Sequence, residues 1–181
     1  MSSQNVGTPQ IPVVTQLAEQ LNQGLEQATL CGLAGSSPAL AVAELSRLLT
    51  RQIIVITADQ TAADELIREL LFFNAANVSP FPSWDVSPFE AASPHPDIIG
   101  SRLETLQRLL HGTPCTVVMP VAALAQRVIP RSTLDMASCS LKPGDEPDRD
   151  TLLESLVRMG YSNCPLVEER GTFAVRGGIL D

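Results

Sequence analysis

The stretch Gln52-Ile-Ile-Val-Ile-Thr57 decides the fold class of this 181-residue chain. A continuous β-branched run of this length is typical of a strand that is buried on both faces of a parallel sheet. Asp59 follows at once and is placed to cap a helix. The apolar face of that helix repeats at helical spacing, at Ala63, Leu66, Leu70 and Phe73. A buried strand followed directly by an amphipathic helix predicts an α/β fold.

The alternation of strand and helix continues on both sides of this unit. Five prolines between Pro80 and Pro96 exclude regular structure there, because each lacks a backbone donor and restricts its predecessor. We therefore predict a helicase-like α/β domain with a mainly parallel sheet over residues 11–125. Its other predicted strands cover residues 28–33, 78–81 and 115–119, and its other helices begin near Pro12, Pro38 and Asp97.

The pattern changes after residue 125. Residues 136–141 and 172–176 alternate like half-exposed strands, and a helix between them ends at Gly160. Seven of the 12 basic residues lie in residues 126–181. We predict that these residues form a smaller α+β domain. Because the chain stops inside an apolar run without a terminator, we expect this domain to be incomplete at its C-terminus.

The composition excludes several classes of function. Hydrophobic residues make up 44% of the chain and charged residues 18%, so a folded core is expected outside the polar residues 1–10, which we predict to be a disordered tail. No apolar run reaches the roughly 18 residues of a membrane helix. The net charge of −8 argues against a general nucleic-acid coat, because phosphate neutralisation requires clustered Lys and Arg. We expect a cytoplasmic protein.

The cysteines show no spacing typical of a metal site. Cys31, Cys115, Cys139 and Cys164 form no CxxC pair, and structural zinc sites usually have short ligand spacings. We predict that they are buried, reduced thiols in a reducing compartment. No metal site is expected.

A second motif lies where a nucleoside triphosphatase has its phosphate-binding loop. The segment Gly32-Leu-Ala-Gly35-Ser36-Ser37-Pro38-Ala39 follows a predicted strand and begins a helix. Its glycines and serines fit the geometry of such a loop. However, Pro38 replaces the lysine that reaches the phosphates, and Ala39 replaces the Mg²⁺ ligand. We therefore expect a degenerate loop that binds no cofactor and hydrolyses no ATP.

Two further motifs have both a functional and a structural interpretation. Ser93-Pro-His95-Pro-Asp97 contains the residue types of a catalytic triad, but residues this close in sequence seldom act as nucleophile, base and orienter. We interpret Asp97 as a helix cap instead. Trp84 either contacts a partner or folds the proline-rich loop back onto the domain, and we favour the second interpretation.

Five longer motifs occur in order along the chain. They are Phe81-Pro-Ser-Trp84-Asp-Val-Ser-Pro88-Phe, Ser93-Pro-His95-Pro-Asp97-Ile-Ile, Arg102-Leu-Glu-Thr-Leu, Pro120-Val-Ala-Ala-Leu-Ala-Gln126-Arg127 and Glu168-Glu-Arg-Gly171-Thr-Phe173-Ala-Val-Arg176-Gly-Gly-Ile-Leu-Asp181. Together they resemble the N-terminal region of the bacterial transcription-repair coupling factor (Mfd) family. The resemblance covers nearly the whole chain beyond its first ten or so residues.

This resemblance implies a fold similar to the front of UvrB, the damage-verifying subunit of bacterial excision repair. That fold is a helicase-like α/β domain with an inserted smaller domain that binds UvrA. The chain departs from UvrB at Pro38 and in its shorter proline-rich stretch, where UvrB carries an aromatic hairpin that clamps DNA. The resemblance therefore implies a non-catalytic UvrB mimic that recruits UvrA for nucleotide excision repair of the transcribed strand at stalled RNA polymerase. ATP, Mg²⁺, DNA and RNA polymerase would bind only domains beyond residue 181.

The resemblance also places the partner-binding surface in the second domain. Arg170, Phe173 and Arg176 match the family's ExGxFAxRG stretch, and Arg149 lies in the preceding Arg-Asp pair at a helix start. An exposed aromatic flanked by guanidiniums that grip carboxylates is a sensible binding hot spot. Strand alternation puts Phe173 on the face opposite Arg176, so Phe173 is alternatively a core residue.

Two other functions stay open at this point. One is a UvrB-like ATP-dependent DNA helicase or damage-verification subunit, which nucleotide binding would distinguish. The other is a purely structural domain that packs on the motor and masks it, which UvrA binding would distinguish.

Overall fold

A computed structural model describes residues 11–75, 77–87, 89 and 92–181, and the expected tail over residues 1–10 lies outside them. The helices are α1 (Pro12–Asn22), α2 (Ser37–Leu48), α3 (Gln60–Phe72), α4 (Pro96–Leu110), α5 (Val121–Leu124), α6 (Arg131–Met136) and α7 (Arg149–Arg158). The strands are β1 (Ile53–Thr57), β2 (Val78–Pro80), β3 (Thr116–Pro120), β4 (Ser162–Asn163), β5 (Thr172–Phe173), β6 (Val175–Arg176) and β7 (Ile179–Leu180).

Three parallel strands form the main sheet, in the order β1-β3-β2. In the central strand, Thr116 is the register partner of both Ile53 in β1 and Val78 in β2. Helix α3 contacts all three strands, while α4 contacts β2 and α5 contacts β3. The predicted mixed α/β fold with a parallel sheet is confirmed.

Two apolar clusters lie on opposite faces of this sheet, because successive residues of a strand point to opposite sides. Val118 packs with Leu70 of α3, which is fully buried, and with the alanines of α2. Val117 and Met119 pack with Phe81, and Leu106 of α4 adds to that cluster. Complete burial of a side chain such as Leu70 contributes about 1.5–3 kcal/mol to stability.

Helix α3 begins and packs as the sequence predicts. The carboxylate of Asp59 accepts a hydrogen bond from the Ala62 backbone N–H at 2.8 Å and so caps the first turn. Ala63 and Leu70 are buried, and Leu66 and Phe73 pack against the same cluster.

Strand β1 is correctly located, but the prediction that it is buried on both faces is wrong. It pairs only with β3 within the described part of the chain and is therefore an edge strand. Ile54 and Ile56 are 52% and 51% exposed. Helix α4 covers the neighbouring strands on that face and leaves these two side chains uncovered.

The strand expected at residues 28–33 is also wrong. The segment forms no regular structure, and all of its residues except the partly buried Leu30 are exposed. Gly32 has a φ of +78°, a left-handed conformation that interrupts an extended run. The segment is apolar, but in the described part of the chain it has no neighbouring strand with which to pair.

The prediction of buried thiols holds for one cysteine only. Cys115 is buried, and desolvation raises the pKa of its thiol above the ordinary value. Cys164 is half-buried and donates to the Leu166 carbonyl oxygen at 3.1 Å. Cys31 and Cys139 are exposed, because the strands expected around them do not form.

The C-terminal part is built from short elements. Helix α7 is capped by Asp148, which accepts from the Thr151 backbone N–H at 2.9 Å. Strands β4 and β5 form a parallel pair, and β6 and β7 form an antiparallel hairpin. The strand expected at residues 136–141 is wrong, since α6 occupies residues 131–136 and residues 137–141 form no regular element. The boundary after residue 125 stays a prediction.

None of the helices in the described residues combines the length and the apolar composition needed to cross a membrane.

We expect backbone amides in β3 to exchange with solvent at least roughly 100-fold more slowly than hydrogen-bonded amides of the C-terminal part. All residues of β3 are buried between two strands. The Cys164 and Asp181 amides are bonded only within two-stranded pairs, which are marginally stable by themselves. Hydrogen exchange followed by NMR measures both groups, and equal protection would contradict this expectation.

Candidate partner-binding site

Arg176 lies on the hairpin formed by β6 and β7. Gly177 and Gly178 form the two-residue loop of this hairpin, and Gly177 has a φ of +60° in the left-handed region. Such short loops favour glycine because their twist requires positive φ. Reciprocal backbone bonds between Ala174 and Asp181, at 3.0 and 3.2 Å, extend the hairpin by one residue pair.

The Arg176 side chain is accessible. It is 58% exposed and forms an ion pair with the Asp181 carboxylate of the same hairpin. An exposed pair of this kind contributes only about 0–1 kcal/mol. A guanidinium has five N–H donors, so Arg176 keeps capacity for a further carboxylate.

Phe173 is not the exposed aromatic that a binding hot spot requires. It is 4% exposed and the next residue, Ala174, is fully buried. The alternative interpretation of Phe173 as a core residue is confirmed. The expected alternation fails because the chain changes partners at Ala174: β5 pairs with β4, whereas β6 pairs with β7.

Arg170 contacts helix α4, about 70 residues earlier in the chain. Its Nε lies 3.7 Å from a carboxylate oxygen of Asp97, and its Nη1 lies 3.8 Å from one of Glu104. The side chain is still 53% exposed. Arg170 is thus available at the surface but is already paired within the chain.

Arg149 is the first residue of α7 and is exposed. Hydrogen bonds from the hydroxyl and the backbone N–H of Thr151 lower the pKa of Asp148, the cap residue beside it. Helix α7 contacts β4, which pairs with β5. The structure therefore connects Arg149 to the segment of Arg170 and Arg176 through α7, β4 and β5.

The segment that resembles a phosphate-binding loop faces carboxylates. The Ser36 hydroxyl donates to Glu69 of α3 at 2.5 Å, and a surface pocket beside it includes Glu65. The Ser37 hydroxyl bonds the Ala34 backbone instead of standing free. Pro38 is in the first turn of α2. The two hydroxyls of this segment thus already have partners within the chain.

The structure gives no catalytic triad at residues 93–97. His95 is the N-cap of α4 and its Nδ1 accepts from the Asp97 backbone N–H at 3.3 Å. The expectation that Asp97 is the cap is therefore wrong, because the helix begins at Pro96 and Asp97 lies in its first turn. Ser93 has no hydrogen bond to either residue among the described contacts.

Arg102, which we did not single out from the sequence, lies at the centre of a buried cluster. Its guanidinium is stacked between the rings of Phe81 and Trp84, at 4.2 and 4.1 Å from their centroids. It donates to the Pro82 carbonyl oxygen at 2.6 Å and to the Gln126 side chain at 3.1 Å. Only 2% of Arg102 is exposed, and desolvation lowers its pKa. The prediction that Trp84 folds the proline-rich loop back is confirmed.

A signal for Arg102 exists in the sequence. It lies three residues after Ile99 and four before Leu106, so helical spacing puts it on the apolar face of α4. The neighbouring apolar residue Leu103, by contrast, is 39% exposed. An arginine at a position that helical spacing assigns to the apolar face indicates a buried guanidinium.

Groups of three or more His, Cys, Asp or Glu side chains that could hold a metal ion are absent from the described residues.

Comparison with known proteins finds a match in the same segment. Residues 139–181 match the model of the UvrB interaction domain. This range includes Arg149, Arg170 and Arg176.

Curated relatives match most of the chain. The chain is 35% identical over 174 residues to the transcription-repair-coupling factor of Myxococcus xanthus, and 35% identical over 156 residues to that of Escherichia coli. It is 37% identical over 179 residues to that of Mycobacterium bovis. These matches cover 92%, 86% and 94% of the chain but only 14% of each relative. Over most of its length the chain is similar to bacterial transcription-repair coupling factors, and its C-terminal segment matches the UvrB interaction domain.

Proposed function

We propose that this chain is a non-catalytic, UvrB-mimicking module that binds UvrA. The observation that carries the proposal is the match of residues 139–181 to the UvrB interaction domain, in a segment that presents exposed arginines. In the proposed function, UvrA is recruited for nucleotide excision repair of the transcribed strand where RNA polymerase has stalled.

The arginines suit a partner with surface carboxylates. A guanidinium offers a planar fork of donors that matches a carboxylate, and it is weakly hydrated compared with an ammonium group. Residues 139–181 hold five basic and eight acidic residues, so the arginines would act as individual contacts and not as a basic patch. We assign Arg176 the main contact, with Arg149 and Arg170 as flanking contacts, and we give Phe173 the role of supporting the strand from the core.

The remainder of the homologous protein carries the other activities in this proposal. The chain spans 14% of the length of the relatives compared above. ATP with Mg²⁺, DNA and RNA polymerase would be bound outside residues 1–181, and the place of action would be the cytoplasm. The chain itself would contribute partner recognition.

We expect no Mg²⁺-dependent ATP binding in the micromolar range by calorimetry. Pro38 stands where a lysine is needed, and Glu69 next to Ser36 would repel a phosphate group. Lysine at position 38 alone should not restore binding, because Ala39 provides no Mg²⁺ ligand. Saturable, Mg²⁺-dependent binding to the wild-type chain would instead favour the UvrB-like helicase function.

The proposal is tested by immobilising the chain and passing purified UvrA over it at physiological salt. We expect retention of UvrA by the wild-type chain and by the Arg158→Glu variant, in which an exposed arginine of α7 is reversed. If UvrA flows through both surfaces, the chain is not a UvrA-binding module and a structural role is favoured.

A further inference from the structure

Gly100 lies inside helix α4, where its backbone conformation does not require a glycine. A Cβ built on it would lie 2.7 Å from both Cδ and Nη1 of Arg170. Carbon atoms do not approach that closely, so any side chain at this position would displace Arg170. Glycine in a helix interior is unfavourable relative to alanine. At this position, however, only glycine leaves room for the close approach of Arg170.

Two carboxylates flank this glycine on the same face of the helix. Asp97 precedes Gly100 by three residues and Glu104 follows it by four, a spacing that brings side chains together on one helix face. We call Asp97, Gly100 and Glu104 the α4 seat. Its carboxylates lie 3.7 and 3.8 Å from the Arg170 guanidinium.

Another charged group near the seat competes with Arg170 for one of these carboxylates. Arg108 bonds Glu104 at 2.9 Å. The pairing of Arg170 is therefore long and shared. An arginine held in this way is released by a partner that offers closer carboxylates.

We propose that Gly100 is a positioning residue that holds Arg170 on the α4 seat in the unbound protein, so that Asp97 and Glu104 compete with the acidic partner for this guanidinium. The inference rests on the proposed function, since it assumes that Arg170 contacts UvrA. Arg176 has an equivalent competitor in Asp181. Both arginines are thus paired with the chain's own carboxylates until carboxylates of UvrA take the place of those groups.

The direct test is the Gly100→Ala variant, which adds one methyl group and removes no charge. The methyl group displaces Arg170 from the seat, so Asp97 and Glu104 no longer compete with UvrA for its guanidinium. Because the two lost pairs are weak and exposed, UvrA binding should tighten by about 3- to 10-fold at low salt. The gain should shrink at high salt, because exposed charges are screened. In a chain that already carries Arg170→Ala, adding Gly100→Ala should leave the UvrA affinity unchanged.

Gln107→Ala is the matched control, since it lies two turns along the same helix and also increases helix propensity. It should leave UvrA affinity unchanged. If Gly100→Ala melts at a higher temperature but binds UvrA like wild type, while Arg176→Glu loses binding, Gly100 is only structural. That result overturns this inference and leaves the proposed function intact.

A second measurement does not depend on UvrA. A double-mutant cycle of thermal unfolding with Arg170→Ala and Glu104→Gln should show a favourable coupling between the two residues in the free chain. Zero coupling would mean that Glu104 does not hold Arg170 in the free chain and would overturn the inference by itself. Absence of UvrA binding by every variant would overturn the proposed function, and the inference with it.

Discussion

Replacing Arg102 with alanine is expected to lower the free energy of unfolding by about 3 kcal/mol, the largest stability effect that we expect from one substitution. The side chain is 2% exposed and stacks between Phe81 and Trp84. The truncation leaves a cavity and removes the donor that satisfies the Pro82 carbonyl oxygen. In a chain of this size the melting temperature should fall by roughly 10 °C.

Arg108→Ala is the control for this prediction. Arg108 lies in the same helix and forms an exposed pair with Glu104, so its loss should cost less than about 1 kcal/mol. Arg102→Met keeps most of the volume and removes the buried charge, and it should cost less than Arg102→Ala. A melting temperature of Arg102→Ala within about 2 °C of wild type would show that the stacked arrangement does not stabilise the fold.

Reversing the charge at Arg176 is expected to weaken UvrA binding at least roughly 30-fold, since removal of an arginine hot spot costs about 2 kcal/mol or more and a glutamate adds repulsion. The side chain is 58% exposed and its ion pair with Asp181 is at the surface. The free energy of unfolding should change by less than about 1 kcal/mol. Calorimetric titration with UvrA and thermal unfolding measure the two quantities.

Two variants distinguish the loss of a UvrA contact at Arg176 from repulsion between a new carboxylate at this position and Asp181. Arg176→Gln removes the charge without placing a second carboxylate beside Asp181, and it should still weaken binding. Arg158→Glu reverses an exposed arginine of α7 and should bind UvrA like wild type. Wild-type affinity of Arg176→Glu, or a collapse of its melting temperature, would place the UvrA contact elsewhere.

The elements that sequence predicted correctly are those defined by local signals. Helix α3 has its cap and its apolar spacing within 15 residues, from Asp59 to Phe73. Strand β3 is a short apolar run between a turn and a proline, and it is buried on both faces. Such segments need no information about distant residues to be recognised.

The errors come from features that depend on neighbours. An apolar run such as residues 28–33 forms a strand only where another strand offers hydrogen-bonding groups, and local periodicity does not give that neighbour. For the same reason the exposure of Ile54 and Ile56 did not follow from their composition. Burial of a strand face depends on how far the covering helix extends, which is a property of the packed chain.

The site was predictable in its residue types but not in its contacts. The guanidiniums of Arg149, Arg170 and Arg176 are exposed, as a binding role requires. The contact of Arg170 with α4 joins residues far apart in the chain, so it could not be derived from spacing. The sequence indicates only that something lies close to α4 at Gly100, since a helix interior otherwise disfavours glycine.

The central claim is that this chain binds UvrA as UvrB does. It is tested most directly by the fluorescence anisotropy of the labelled chain during titration with UvrA, followed by addition of unlabelled UvrB. We predict a saturable rise in anisotropy that UvrB reverses, because the two proteins would occupy the same surface of UvrA. No rise, or a rise that excess UvrB leaves unchanged, would contradict the account.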